Sequence, residues 1–333
     1  MTAPRIHTFF SLIGAAFVAL LALATPTHQV AAQTSQLYPN RPVKLIVPFA
    51  PGGPTDTVAR LMAEQLQAQW KQSVVVDYKP GAGTVVGTQF VAKSAADGYT
   101  LGMAISALMI NPALQPSLPY DTTKDIAGVS LVGQAHFGLF ANPSAPFNST
   151  SELIAYAKAN PGKLSYATPG TGTGTHLAGE MLNHLAGIDM AHIPYKGSSP
   201  AQVDVVGGRV PLLFDVLFSS MPMVKDGRLK LIALSSPERA RSMPQAPLIA
   251  EVLPGFSAMS LIGIVAPAGI PPALMRQISA DIAAAVKSAP VVDRMGQLGM
   301  EPVGSSSQAY DQTIRLEIEK WLQVVKTAGI RIE

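Results

Sequence analysis

Two short stretches of this chain carry the residue types of an anion-capture site. Pro48-Phe49-Ala50-Pro51-Gly52-Gly53-Pro54-Thr55-Asp56-Thr57 follows the apolar run Val43 to Val47. Thr168-Pro169-Gly170-Thr171-Gly172-Thr173-Gly174-Thr175-His176 follows Leu164 to Ala167. Each lies between a strand-like and a helix-like segment. Glycine at such an elbow lets backbone approach a ligand closely, and the first-turn N–H groups of the next helix lack intrahelical partners. Those amides and the helix dipole attract negative charge. Two such elbows form either a pair of jaws for a small anion or two ordinary turns.

Other chemistry is poorly represented. Ser106, His176 and Asp215 are the residue types of a hydrolytic triad, but no Gly-x-Ser-x-Gly nucleophile elbow occurs. His176, Glu180 and His184 are spaced along one helix without forming the His-Glu-x-x-His metal signature. The Gly170–Gly174 loop lacks the lysine of a phosphate-binding loop, and Gly81, Gly83 and Gly87 misspace the dinucleotide fingerprint. No cofactor is implied. Asn148-Ser149-Thr150 fits a glycosylation sequon but reads rather as a helix-capping stretch.

Composition narrows the setting. Arg5 and His7 precede the apolar stretch Phe9 to Ala24, and Val30-Ala31-Ala32 gives a small-residue cleavage pattern. The stretch is shorter than the roughly 20 residues of a spanning helix, so residues 1–32 read as a signal peptide cleaved after Ala32. The chain has no cysteine, which excludes disulfides, thiolate metal sites and a cysteine nucleophile. Its 24 basic and 21 acidic side chains give +3, and Arg5 leaves with the leader. That balance is too weak for nucleic acid, which needs a clustered basic face.

The elements that position the two elbows follow from periodicity. Val43–Val47, Val74–Asp77, Thr100–Ala104, Leu164–Ala167, Leu212–Val216, Leu229–Ser235 and Leu261–Ala266 are short apolar or β-branched runs. Alternation with helical segments predicts an α/β fold of largely parallel sheets. After the first elbow, Val58, Leu61, Met62, Leu66 and Trp70 share a helix face, with Thr55 or Asp56 as cap. After the second, Leu177, Met181, Leu182 and Leu185 point inward and Gly187 ends the helix. Both elbows then sit at carboxyl edges of sheets, where α/β folds bind ligands. A mature chain of about 300 residues implies two domains.

The string from Tyr38 to Asp56 closely resembles the mature start of the substrate-binding proteins of tripartite tricarboxylate transporters, also called Bug receptors. Further matches follow in the family's order: Lys79-Pro80-Gly81-Ala82-Gly83, Asp97-Gly98-Tyr99-Thr100-Leu101, Asn111-Pro112-Ala113-Leu114, Tyr166-Ala167-Thr168-Pro169-Gly170, His192-Ile193-Pro194-Tyr195-Lys196-Gly197 and Val265-Ala266-Pro267-Ala268-Gly269-Ile270-Pro271. The resemblance covers essentially the whole mature chain. It implies a periplasmic, two-lobed receptor of the Venus-flytrap, type II-like kind, each lobe a mostly parallel sheet flanked by helices. It also implies a discontinuous first lobe, 33–133 plus 256–333, a second lobe 134–255, and hinge crossings near 131–142 and 256–265. The final helix, with Ile314, Ile318, Trp321, Leu322 and Val325, is expected to pack on lobe one.

The family's members hold one ligand carboxylate between the two elbows, chiefly through backbone amides and water. Carried over, the first jaw is Phe49, Ala50, Gly53, Pro54, Thr55 and Asp56, where Pro54 offers no N–H. The second is Thr168, Gly170, Thr171, Thr173 and Thr175, with His176 in the first turn of the next helix. Ser106, Ala107, Tyr195, Lys196 and Asp215 are further ligand-binding candidates, and residues near Ser106–Met109 and Tyr195–Ser198 are candidates for the distal wall. The implied ligand is a small organic carboxylate: a di- or tricarboxylate, an amino acid or an aromatic acid. The implied partners are integral membrane transporter subunits, with a sensor kinase as the alternative recipient and a secreted hydrolase as the less favoured function. No enzymatic activity is expected, and a monomer is assumed.

Overall fold

The apolar runs become strands because their β-branched and aliphatic side chains bury on both faces, while the stretches between them carry one apolar stripe each and fold as helices over the sheet. The computed structural model describes residues 38–328, Pro116 excepted. The leader and its cleavage at Ala32 lie outside the described residues.

The chain first runs β1 (Val43–Val47), α1 (Pro54–Trp70), β2 (Val74–Tyr78), α2 (Val85–Ala92), β3 (Thr100–Ile105), α3 (Ala107–Leu114) and a one-turn α4 (Thr122–Asp125). It continues through β4 (Ile126–Ala141), α5 (Thr150–Ala159), β5 (Leu164–Thr168), α6 (Gly174–Ala186), β6 (Met190–Pro194), α7 (Ser198–Val206), β7 (Leu212–Val216), α8 (Leu217–Lys225) and β8 (Lys230–Leu234). It closes with β9 (Met259–Pro267), α9 (Pro272–Val286), α10 (Ala289–Gln297), β10 (Met300–Pro302) and α11 (Ser307–Ala328). The strand order is β2-β1-β3-β9-β4-β7-β5-β6, with β10 and β8 also paired to β4.

Each half of this arrangement has a parallel trio, β2-β1-β3 and β6-β5-β7, extended by antiparallel strands. The 16-residue β4 belongs to both. From Ile126 to His136 it pairs with β9, and from Phe137 to Ala141 it pairs with β7, Gly138 to Ala141 also pairing with β8. Nearly every β4 residue is buried, so the strand has no alternating pattern.

The helices that follow the elbows differ from expectation in detail. Val58, Met62 and Leu66 of α1 are fully buried. Its N-cap is Gly53 rather than Thr55 or Asp56, because Pro54 already suits the first helical position and sets the start earlier. In α6, Leu177, Met181 and Leu182 are buried and Gly187 closes the helix at φ 60°. Leu185 is exposed instead, since the last turn of α6 borders a crevice against α11 rather than the sheet. Ile314, Ile318 and Trp321 bury against α3 and β4, and α11 also touches α6; Leu322 lies off that stripe and faces solvent.

Candidate ligand-binding site

The first elbow is held open by its own aspartate. Gly52 adopts φ 96°, a left-handed turn that glycine takes without steric cost. Its N–H donates to Asp56 Oδ2 at 2.7 Å, while Asp56 Oδ1 accepts from Arg60 Nε at 2.9 Å and from the Tyr78 hydroxyl at 2.7 Å. Burial raises the Asp56 carboxyl, but the Gly52 amide, the Tyr78 hydroxyl and the Arg60 guanidinium outweigh it and hold the group below the usual carboxylate range. Asp56 is therefore an internal strut. Phe49, Ala50, Gly53 and Thr55 open on a cavity of about 430 Å³, faced by Ile105, Val216, Phe218, Ser260 and Met300 among others.

The second elbow is built from threonine. Thr173 caps α6 by accepting from His176 N at 3.3 Å, and its hydroxyl also donates to Gly170 O at 2.7 Å and lies 2.8 Å from Thr175 Oγ1. Gly172 sits at φ 76°. Two histidines pin the loop from behind. His192 Nε2 is 2.7 Å from Thr168 Oγ1, and His176 Nδ1 accepts from Gly172 N at 3.2 Å, so that ring is neutral with its proton on Nε2. The two rings stack at 4.0 Å between centroids and 22° between planes. Burial lowers His176 to about 4, and burial together with its histidine neighbour lowers His192 to about 3. Below them the Tyr166 hydroxyl donates to Glu180 at 2.5 Å.

Thr171, Gly172, Thr173, Gly174 and Thr175 line a second cavity of about 460 Å³. It adjoins the first, sharing Phe49, Ile105, Val216 and Ser260 as wall residues. Among the described residues neither cavity has an Asp, Glu, Lys, Arg or His on its wall. The first turns of α1, α6 and α7 and the start of α3 all reach these walls, so the positive ends of helices supply what field there is.

The remaining sequence candidates divide clearly. Ser106 and Ala107 are on the wall, but the Ser106 hydroxyl is occupied: it donates to Met259 O at 3.2 Å and accepts from Leu261 N at 3.0 Å, stapling the start of α3 to β9. Asp215 is fully buried beneath the floor. It accepts from the Ser198 hydroxyl at 2.6 Å, Gln202 Nε2 at 2.9 Å, the Ser220 hydroxyl at 2.8 Å and Val216 N at 2.8 Å. Ser198 and Val216 carry its influence to the wall. Asp56, Thr168, Gly170 and His176 stand behind the walls as supports. Tyr195 turns its hydroxyl to Asp204 at 2.6 Å, and Lys196 is solvent-exposed and off both walls, as a long charged side chain without a buried partner must be. Helix α1 begins at Pro54.

No triad is assembled, since Ser106, His176 and Asp215 each bond to different partners. His176 Nε2 lies 3.9 Å from Glu180 Oε1, but His184 borders the α6–α11 crevice, and no group of three metal-ligating side chains occurs among the described residues. Ser149 caps α5 by accepting from Glu152 N, and Asn148 N donates back to Glu152, a reciprocal cap.

Several wall residues were absent from the sequence candidates. Gly83 and Thr84 reach the larger cavity from a turn in which Ala82 and Thr84 both have positive φ, 44° and 83°. Asn111, Leu114 and Gln115 come from α3, Phe137 from β4 and Ser260 from β9. The Gly81-Ala82-Gly83 run and Asn111-Pro112 inside a helix were the available signals; Phe137 and Ser260 carry none, because only the pairing of β4 with β7 and with β9 brings them there.

The chain matches the family described as "Tripartite tricarboxylate transporter family receptor" over residues 58–330. It is 37% identical to Protein BugT of Bordetella pertussis over 320 residues, 95% of this chain and 96% of that one. It resembles the structure of Rpa4515 of R. palustris with adipate, at 33% identity and TM-score 0.76, covering 88% of this chain and 99% of that one. It also resembles MatC from Rhodopseudomonas palustris with bound malate, at 30% identity and TM-score 0.72, covering 86% and 100%.

Proposed function

Because the chain belongs to the tripartite tricarboxylate transporter receptor family, and has the two-lobed fold of periplasmic solute-binding proteins, we propose that it is an exported receptor that binds a small organic carboxylate between its lobes and delivers it to membrane transporter subunits. The observation that carries this reading is the pair of glycine and threonine elbows, each leading a helix N-terminus onto the wall of one of two adjoining cavities that, among the described residues, hold no charged side chain. Such walls suit a carboxylate taken by amides and hydroxyls. Hydrogen bonds to a charged acceptor contribute roughly 1.5–3 kcal/mol each. Three of them offset part of the cost of association and are compatible with micromolar binding, about −8 kcal/mol.

The lobes divide at 33–133 plus 256–333 and 134–255, and the crossings through β4 and into β9 are the hinge. Phe49 and Thr171, Thr173 and Thr175 meet the ligand from opposite sides, so closure completes contacts that one lobe alone does not offer. The protein acts in the periplasm after loss of residues 1–32, and it turns nothing over.

Calorimetry of the mature protein against carboxylates tests the reading, with a ligand at 100 times its dissociation constant adding about 2.7 kcal/mol of stability. Saturable binding of a carboxylate, lost when Thr173 and Thr175 are both replaced by valine, is the expected result. Hydrolysis of esters or amides in proportion to protein, abolished by Ser106→Ala, would overturn it.

A further inference from the structure

The two lobes also meet away from the elbows, beside the crossing in β4. Met300 of β10 is buried in the core around β1, β3 and β9, and Ala240 is buried in the core around β7 and β8. Their chain neighbours touch: Glu301 Oε1 accepts from Arg241 N at 3.0 Å. The same oxygen lies 3.3 Å from Nε2 of His136, the last β4 residue paired to β9, whose Nδ1 is 2.7 Å from Ser236 Oγ beyond β8. Two residues before Glu301, Gly299 at φ 62° lies so close to Phe218 of α8 that an added Cβ would come within 2.3 Å of Phe218 Cβ. Within three residues, β10 and the turn before it meet the second lobe twice.

Burial raises the Glu301 carboxyl, but the Arg241 amide together with His136 and Gln134 outweighs it and holds the group below the usual carboxylate range. The acceptor is therefore charged at neutral pH. A hydrogen bond to a charged group is about twice as strong as a neutral one and weakens steeply with misalignment, so this bond resists rotation of one lobe against the other. Glu301, Arg241 and His136 stand on neither cavity wall. Their neighbours do: Met300 and Phe218 line the smaller cavity, while Phe49 and Thr171, Thr173 and Thr175 share the wall of the larger one. The arrangement that Glu301 holds is the one in which both elbows face one ligand.

We propose that Glu301 is a positioning residue for ligand capture: its carboxylate clasps the Arg241 amide across the hinge and populates the closed arrangement before a ligand arrives. This rests on the two-lobed receptor reading and places a determinant of affinity outside the cavities. The apparent dissociation constant is the intrinsic one divided by the fraction of molecules already competent to bind, so a clasp that raises this fraction tightens binding without touching the ligand.

The chain has no cysteine, so Val86→Cys on α2 and Val203→Cys on α7, both exposed positions, give one spin label on each lobe. Pulsed electron–electron distance measurements on the mature, ligand-free protein should find a closed population in the labelled parent. Glu301→Ala should raise the open-to-closed ratio by about tenfold, and Glu301→Gln, whose amide oxygen can still accept from Arg241 N, should stay within about threefold of the parent. Arg241→Pro removes the same bond from the other side and decides the matter where Glu301→Ala fails to fold. Position 241 is the second residue of a turn closed by Met243 N donating to Ala240 O at 2.8 Å, a place that suits proline while removing the N–H. It should raise the ratio as Glu301→Ala does, and the double variant should add nothing further. A parent already fully open, or an unchanged ratio in both single variants, would overturn the clasp. No ligand enters this measurement, so its outcome is independent of the calorimetry that tests carboxylate capture.

Discussion

The stacked histidines behind the second elbow make stability depend on pH in a defined window. His176 is 6% exposed and burial lowers it to about 4, against about 6.5 in an unfolded chain. A base whose folded value is depressed favours the folded state while it is neutral. Its contribution is complete above pH 6.5 and is lost as pH falls toward its folded value. At pH 5 the unfolded histidine is almost fully protonated and the buried one is not, which removes about 2 kcal/mol of stability for His176 alone. His192 is shifted in the same direction and adds to the loss. Glu180, 3.9 Å from His176 Nε2, already accepts the Tyr166 hydroxyl, so it does not rescue the charged form. Asp56, Asp121 and Asp204, all held low by their partners, lose their contributions only below about pH 4, so the interval from pH 7.5 to 5 separates the histidines from them. Urea denaturation at pH 7.5, 6 and 5 should show stability falling by at least about 2 kcal/mol. His192→Gln keeps an amide beside Thr168 without a titrating ring and should flatten the curve. Stability unchanged within about 0.5 kcal/mol from pH 7.5 to 5, or an identical slope in His192→Gln, would refute the role given to the pair.

Four further outcomes follow from particular residues. Thr173→Val removes the α6 cap and a cavity hydroxyl; melting should show a loss of about 0.5–2 kcal/mol in stability, and calorimetry a further loss of roughly 1–3 kcal/mol in carboxylate binding. Lys196→Ala should leave affinity within about twofold, and if it abolished binding while Thr173→Val did nothing, an ion-pair site would replace the amide and hydroxyl one. Asp215→Ala strands the Ser198, Gln202 and Ser220 donors beneath the cavity floor and should cost about 3–5 kcal/mol by denaturant titration. Gly179→Ala places a Cβ 2.1 Å from the Tyr166 ring, an overlap that should destabilise by about 1–3 kcal/mol or more.

The sequence made the strand and helix elements legible wherever an apolar run ended in glycine or proline. Val43–Val47 coincides with its strand, and Gly187 ends α6 as its type implies. Four jaw-one residues and three jaw-two residues reach a cavity wall. Less legible was everything that depends on partners distant in the chain. Asp56 reads as a cap, yet its bonds to Gly52, Arg60 and Tyr78 make it a brace for the turn. His192 sits in a strand no periodicity marks, and its stacking on His176 across 16 residues of chain has no local signature. Phe137 becomes a wall residue through the pairing of β4 with β7, and Ser260 through that of β4 with β9.

That long β4 strand also decides how the molecule comes apart. Because its first eleven residues complete one sheet and its last five the other, neither half can be excised as an autonomous fragment: cutting between them leaves each sheet with a raw edge. Melting one half strips ladder bonds from the other, so heat and denaturant should meet a single cooperative unit. The same continuity means that a carboxylate seated against either elbow protects amides in both halves from exchange, and slow-exchanging protons along β4 would register occupancy of the cleft from a strand that only partly touches it.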